Sequence, residues 1–320
     1  MASMITMFLQ SAYSMIDGLF VSNLIGDTAL SAVNVAWPII AVVTAIGTGV
    51  GCGGAVMMST KQGEGKNEES NIVRANVILA LLASSIVVTI LFLILLTPLL
   101  KLMGAEGELL RLSQIYGRVM LTGGVLQILS CGLTPLLRND NRAVSAMMIM
   151  VGGLFANLGL DFVFMYVFHM GIGGAAGASL CAQLFTTVCC LMILCTKKTD
   201  PIHLSQFMIR KEYWKKIFKT AVSPFGISLT PSLLILYHNV ACLKFGGDLA
   251  VNAYALISST VGSYRVLLIG VAEGIQPLAS YAYGAHDFHA IRKIRNKAVI
   301  TAMGVSFFLF IFTIATARFY

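Results

Sequence analysis

Residues 72–97 read IVRANVILALLASSIVVTILFLILLT, and after Arg74 the stretch carries no charge. A helix rising 1.5 Å per residue needs about 20 apolar residues to cross the hydrocarbon core of a bilayer. This stretch meets that length, and similar runs recur along the whole 320-residue chain. The composition agrees. The chain is 57% hydrophobic and only 11% charged, where a soluble domain carries roughly a quarter charged residues. The short alternating segments that build a membrane β-barrel are missing. The expected fold class is an all-α membrane protein, a polytopic helical bundle.

Nine spans are expected, at about 1–24, 29–57, 72–97, 110–136, 143–168, 172–196, 217–244, 249–277 and 296–318. The net charge of +8 does not point to nucleic acid, because the basic residues lie in connections between apolar runs. The connections after the second, fourth, sixth and eighth spans hold 16 of the 22 Lys and Arg residues. The positive-inside rule places those connections in the cytoplasm. The seven cysteines lie in or beside apolar runs with no CxxC pair, so they read as small buried hydrophobes rather than metal or redox groups. The first residues lack the basic flank of a signal peptide and carry Gln10 and Asp17. The chain reads as starting within a span and stopping after one.

Slid on itself by 221 residues, the sequence repeats. Gly26-Asp27 meets Gly247-Asp248, Gly53 meets Gly274, Ser59 meets Ser280, Gly63 meets Gly284 and Arg74 meets Arg295. The repeat predicts two pseudo-symmetric six-helix lobes, the second truncated. Residues 1–196 form the first lobe, 197–216 a cytoplasmic connection, and 217–320 the first three helices of the second. Repeats that hold substrate and ion sites between or within them are a feature of secondary transporters.

The segments QSAYSMIDGLFVSNLIGDTALSAVNV (10–35), STKQGEGK (59–66), LRNDNRAV (137–144), NLGLDFVF (157–164) and EGIQPLASYAYGA (273–285) resemble the multidrug and toxic compound extrusion (MATE) family, in its bacterial multidrug branch. The resemblance covers essentially the whole chain. It implies a multi-pass protein of the bacterial plasma membrane that exports organic cations or drugs by alternating access. Na⁺ or H⁺ is the coupling ion, with no other cofactor. It also implies a cation site on the acid of span one and on the Asn-x-x-x-Asp of span five, matching Asp17, Asn157 and Asp161. No nucleotide-binding loop of the GxxxxGK[ST] type occurs. The partners expected are small organic cations and membrane lipids, with no nucleic acid, and the chain is expected to act as a monomer.

The residues themselves point the same way. Asp17, Asp161 and Glu273 are the acidic residues inside spans. A carboxylate there is costly, so such residues usually face a cavity and serve function. Asp17 and Asp161 each lie seven residues before the outer end of an outward-running span, ~10 Å deep. Asn157 is one turn before Asp161, on the same face. Ser179 falls at a similar depth in span six and joins the set on depth alone. Four such oxygens suit a hard cation, and two close carboxylates can instead share a proton. Packing hydrogen bonds between helices are the alternative role for all four.

Glu273, on the cytoplasmic side of span eight, suits attraction of a cation from inside, or a helix-end carboxylate at the interface. His238 stands where Asp17 stands in the first repeat (17 + 221 = 238) and is either a proton carrier or a neutral core histidine. Arg265 is expected to face the central cavity or a partner on another helix. A lipid-linked oligosaccharide flippase of the same superfamily is the alternative function. It calls for a strongly cationic cavity, whereas the charges here are mainly acidic, with Arg265 the exception. An intramembrane aspartyl protease would need two aspartates on one water, and neither aspartate has a YD or GxGD setting. The chain therefore reads as a transporter, not an enzyme.

Overall fold

The structure is a computed structural model. It describes residues 26–196 and 209–316, with residues 6, 7, 9, 206 and 207 beside them. Asp17 lies outside the described residues.

Every regular element is helical, and no strand occurs among the described residues. In chain order these are α1 (Asp27–Gly63), α2 (Asn67–Leu102), α3 (Gly107–Thr122), α4 (Gly124–Asn139), α5 (Ala143–Asp161), a π-helical turn (Phe162–Val167), α6 (Gly171–Cys195), α7 (Lys211–Gly284) and α8 (Phe288–Thr316). Among the described residues, five helical stretches are long and apolar enough to cross a membrane, and the bent pair α3–α4 makes a sixth. Their outward faces are greasy: Ile86, Val87, Ile90 and Ile94 of α2 are all exposed, as lipid contact requires. The inward faces are packed with small and branched side chains, among them Ala36, Val43, Ala55, Val77, Leu81, Leu133 and Leu136.

The turn from α1 to α2 shows why the helix stops where it does. Gly65 has φ +75°, the left-handed region. It lets the Lys66 amide reach the Lys61 carbonyl and the Gly65 amide the Gln62 carbonyl, both at 3.0 Å. That pattern satisfies the last carbonyls of a helix. Glu68 and Glu69 then sit in the first turn of α2, favourably placed on the helix dipole.

Four spans differ from the sequence expectation. The fourth, expected as one helix over 110–136, is two helices bent by 57° at Gly123. The bend lies in the close-packed core, where a Cβ on Gly123 would meet the Leu180 side chain at 2.2 Å and one on Gly124 would meet Thr89 Oγ1 at 2.5 Å. The fifth span leaves the α-helical pattern at Asp161. The Phe168 amide bonds the Val163 carbonyl, five residues back, at 3.0 Å, and Phe162 stacks on Tyr166 with ring centroids 5.0 Å apart.

The seventh and eighth spans are helical without interruption over Lys211–Gly284. Straight, 38 helical residues would span ~57 Å. Yet the Arg265 Nη2 lies 3.4 Å from the Ile227 carbonyl, and the His238 and Tyr254 rings stack with centroids 5.0 Å apart. Both pairs are symmetric about residue 246, so α7 folds back on itself between His238 and Tyr254, with its two legs antiparallel. α8 packs back on it, with Tyr264 Oη 2.8 Å from Thr313 Oγ1.

α1 runs through the middle. A Cβ on Gly49 would lie 3.0 Å from that of Phe225, and one on Gly53 2.7 Å from the Ala221 nitrogen. These contacts join α1 to the first leg of α7. The second leg meets α1 at its C-terminal end. There a Cβ on Gly63 would fall 2.0 Å from the Tyr281 carbonyl, and one on Gly284 2.0 Å from the Thr60 carbonyl.

Candidate functional site

Two groups of polar side chains are buried in this apolar frame. The first is on α5. Asp161 is 0% exposed and Asn157 5% exposed, although the helix is otherwise apolar with several lipid-facing residues. One helical turn separates them, so both face the packed interior. Asp161 is the last α-helical residue before the π-helical turn. Such turns widen the helix and re-aim side chains, and they concentrate at functional positions. Ser179 sits half-buried on α6, which packs against α5. Its hydroxyl donates no hydrogen bond to Asn157 or Asp161 among the described residues. The expected fourth member, Asp17, lies outside the described residues. The structure therefore brings Asn157 and Asp161 to one buried face, and leaves Ser179 on the neighbouring helix without a bond to them.

The second group lies where the C-terminal ends of α1 and α4 meet the start of α2. The Arg74 Nη1 is 3.4 Å from Asp140 Oδ2, with both side chains 1% exposed. The Arg74 Nη2 donates to Asn71 Oδ1 at 2.9 Å. The Gln62 amide donates to Asp140 Oδ1 at 3.2 Å, and the Arg142 Nε stands 4.0 Å from Asp140 Oδ2. Ser59 donates to both the backbone and side-chain oxygens of Asn139, at 3.1 and 2.9 Å. A carboxylate this deep persists only with cationic and amide partners around it. Here they come from α1, α2 and the turn before α5.

This layer is a correction. Arg74 and Arg138 are two of the 16 basic residues that the positive-inside count assigns to connections, yet both are buried helix residues with carboxylate partners. Their place in the chain fits the cytoplasmic side. The missed signal was the polar spacing of the turns themselves: Asp140 follows Arg138-Asn139 directly, and Ser59 and Gln62 point from α1 at the same level.

Glu273 pairs with Arg138 across the boundary between the first repeat's helices and α7. Arg138 is 7% exposed and Glu273 19%. Cys52, the repeat counterpart of Glu273 (52 + 221 = 273), lies beside it and against Gln276. Arg265 meets a partner on the other leg of its hairpin, the Ile227 carbonyl. His238 is exposed rather than buried in a core. Its Nδ1 is 2.7 Å from the Leu234 carbonyl, the ring stacks on Tyr254, and Tyr237 meets it edge-on.

Outside the spans, Glu64 collects Lys61 and Lys66, each at 2.9 Å, and Lys61 also reaches Glu69 at 2.9 Å. Hydrogen bonds from Lys61, then Lys66, hold the Glu64 carboxyl down at about 2. Lys216 likewise lowers Glu212 at the start of α7. No cluster of three or more metal-ligating His, Cys, Asp or Glu side chains occurs among the described residues.

The family model MatE matches residues 2–163 and 227–320. The multidrug export protein MepA of Staphylococcus aureus is 25% identical over 310 residues, which is 95% of this chain and 67% of that protein. A crystal structure of a MATE mutant superposes with a TM-score of 0.93 at 26% identity, covering 99% of this chain and 71% of that one. An outward-facing multidrug resistance MATE transporter of the MOP superfamily gives a TM-score of 0.91 at 26% identity, covering 98% and 69%. A family model spanning most of the sequence, with solved relatives that share the arrangement of helices, makes this chain a multi-pass membrane protein of the MatE family of multidrug efflux transporters.

Proposed function

We propose that the protein is a secondary antiporter that exports organic cations in exchange for Na⁺ or H⁺ by alternating access. The single observation that carries the reading is Asp161: a carboxylate 0% exposed, with Asn157 one turn away, at a break in a membrane-spanning helix. Such a group is expensive in a bilayer and is retained where a cation or proton occupies it. Asp17, Asn157, Asp161 and Ser179 are the coupling residues in this reading, and residues 1–196 their lobe. Glu273, His238 and Arg265 belong to the substrate pathway. The multidrug export relative supports the drug class. The contacts of Gly63 with Tyr281 and of Gly284 with Thr60 support a cytoplasmic side that is shut, as in an outward-facing transporter.

Ion and drug bind alternately in this scheme. Cation entry from outside neutralises the site, the first-repeat helices repack, and the drug is released outward. Ethidium efflux from membrane vesicles tests it, with the Na⁺ and H⁺ gradients collapsed one at a time. Loss of efflux with one gradient and not the other names the ion. Efflux untouched by both would sink the antiport reading.

A further inference from the structure

We infer that Arg138 is an internal stand-in for the cationic substrate: it holds Glu273 to keep the cytoplasmic side shut, and an incoming organic cation opens that side by taking its place on Glu273. The inference rests on the efflux reading above and assigns a gating and selecting role to a residue of α4.

The pair is placed to do this. Arg138 comes from the end of α4, two residues before the buried Asp140. Glu273 comes from the second leg of α7, eleven residues before Gly284 at the shut cytoplasmic end. Their ion pair therefore ties a first-repeat helix to a second-repeat helix at the level where the two must part for a drug to enter. It also breaks the repeat. The first repeat carries Cys52 where the second carries Glu273, so this interface holds one acid and not two. A single acid can be balanced by one cation at a time, either Arg138 or a substrate.

The cleft beside the pair is closed down to about 10 Å³, and its lining is mostly apolar and adaptable. The pair opens on a small cleft lined by Met7, Ala143, Ala146, Met147 and Met150. Unbranched, polarisable Met side chains adapt to differing apolar shapes. The hold of Arg138 on the cleft is incomplete, because its buried Nε has no hydrogen-bond partner among the described residues. Arginine is a permanent cation. It lets go when another cation competes for Glu273. On release its guanidinium lies close to the cytoplasmic turn at Asn141, where water takes it up. An anion of the same size gains nothing from Glu273 and has no means of displacing Arg138. The latch thus selects cations at the step that admits them.

Cys52 is the reporter, since it is 7% exposed and lies beside Glu273. The other six cysteines are replaced by alanine, and the protein is placed in inside-out vesicles with a membrane-impermeant maleimide. Tetraphenylphosphonium is expected to speed labelling of Cys52 about tenfold, the scale of one lost charged contact. Tetraphenylborate, the anion of the same shape, is expected to leave it unchanged. Arg138→Gln is expected to label at the fast rate with no ligand. The exchange Arg138→Glu with Glu273→Arg keeps a pair in place, and is expected to label slowly with no ligand and faster with tetraphenylphosphonium, which competes for the relocated acid. Equal acceleration by both probes, an Arg138→Gln variant as slow as the parent, or an exchange variant that labels fast with no ligand would each overturn the latch. Ethidium efflux by the same vesicles separates the two readings. Efflux with an unresponsive Cys52 rejects the latch alone, whereas no efflux under any gradient rejects the transport reading beneath it.

Discussion

Gly63 and Gly284 contact each other's helices reciprocally. A Cβ on Gly63 would lie 2.0 Å from the Tyr281 carbonyl, and one on Gly284 2.0 Å from the Thr60 carbonyl. All four positions obey the 221-residue offset (63 + 221 = 284, 60 + 221 = 281). A two-fold relation between the repeats produces such a crossing at its axis, and only glycine leaves room for it. Backbone carbonyls cannot step aside as a flexible side chain can. Gly63→Ala or Gly284→Ala should therefore push the cytoplasmic ends apart. Overpacking of this kind costs roughly 1–3 kcal/mol, enough to shift a two-state balance about five- to 150-fold. Each variant should raise cytoplasmic labelling of Cys52 and slow efflux, with both acting alike because they spoil one crossing. Unchanged labelling in both would mean that the crossing is not what closes that side.

The Arg74–Asp140 pair makes a second prediction. Both side chains are 1% exposed, and Asp140 also takes Gln62. Breaking a buried pair from one side costs ~3–5 kcal/mol, because the other charge stays behind. Asp140→Asn should lower the melting temperature in detergent by several degrees and cut the amount of folded protein. Arg74→Lys should not rescue it, since lysine offers no second arm for Asn71 (2.9 Å). A melting temperature equal to the parent in either variant would show that the layer carries no stability.

The helical bundle was legible in the sequence because its signal is long: 20-residue apolar runs leave few alternatives in a bilayer. The hairpin of α7 was legible too, since Gly246-Gly247 interrupts two such runs. The bend at Gly123 was not, because it lies inside one unbroken apolar run. The site was readable where a charge stood alone in an apolar run, as with Asp161. It was unreadable where charges from different helices meet. Arg74, Arg138 and Asp140 sit near the ends of runs, where the positive-inside rule explains basic residues without any partner. Distances across 66 or 135 residues carry no local pattern.

Orientation gives a third prediction. Residues 197–219 hold seven basic residues, and Lys211 begins α7 as an exposed side chain. With the native cysteines removed, Lys211→Cys should resist an impermeant maleimide in intact cells and react in inside-out vesicles. Ready labelling from outside would reverse the topology and, with it, the side that the Arg138 latch guards.

Acid dependence gives a fourth. The depressed Glu64 carboxyl stabilises the α1–α2 turn above its unfolded value of 4.5, and that contribution fades as pH falls through about 2. Across pH 5–8 it is constant. The group is at the surface, where such pairs are worth a few tenths of a kcal/mol. Glu64→Gln should thus leave the melting temperature between pH 5 and 8 within about a degree of the parent. A larger drop would mean that the Lys61–Glu64–Lys66 cluster anchors the turn more firmly than a solvated pair does.

The last prediction concerns Asp161. Burial at 0% exposure inside a membrane-spanning helix makes a charged carboxylate costly, and such residues are kept for function. The π-helical turn that follows leaves helix carbonyls out of the regular α pattern at the same depth, and Asn157 faces the same interior. Asp161→Asn keeps the size and removes the charge. In the coupling role the variant should insert, fold and melt like the parent, or slightly higher, because a neutral amide is cheaper to bury. It should nonetheless lose gradient-driven ethidium efflux. Asp17→Asn should do the same, and the double variant should be no worse than either single one, because one site is lost once. In a packing role the effects would separate differently: stability would fall, efflux would decline only with the amount of folded protein, and the two substitutions would add. Efflux per folded molecule, measured against melting temperature for the three variants, decides between them. An Asp161→Asn protein that pumps at the parental rate under the same ion gradient would remove Asp161 from the coupling site.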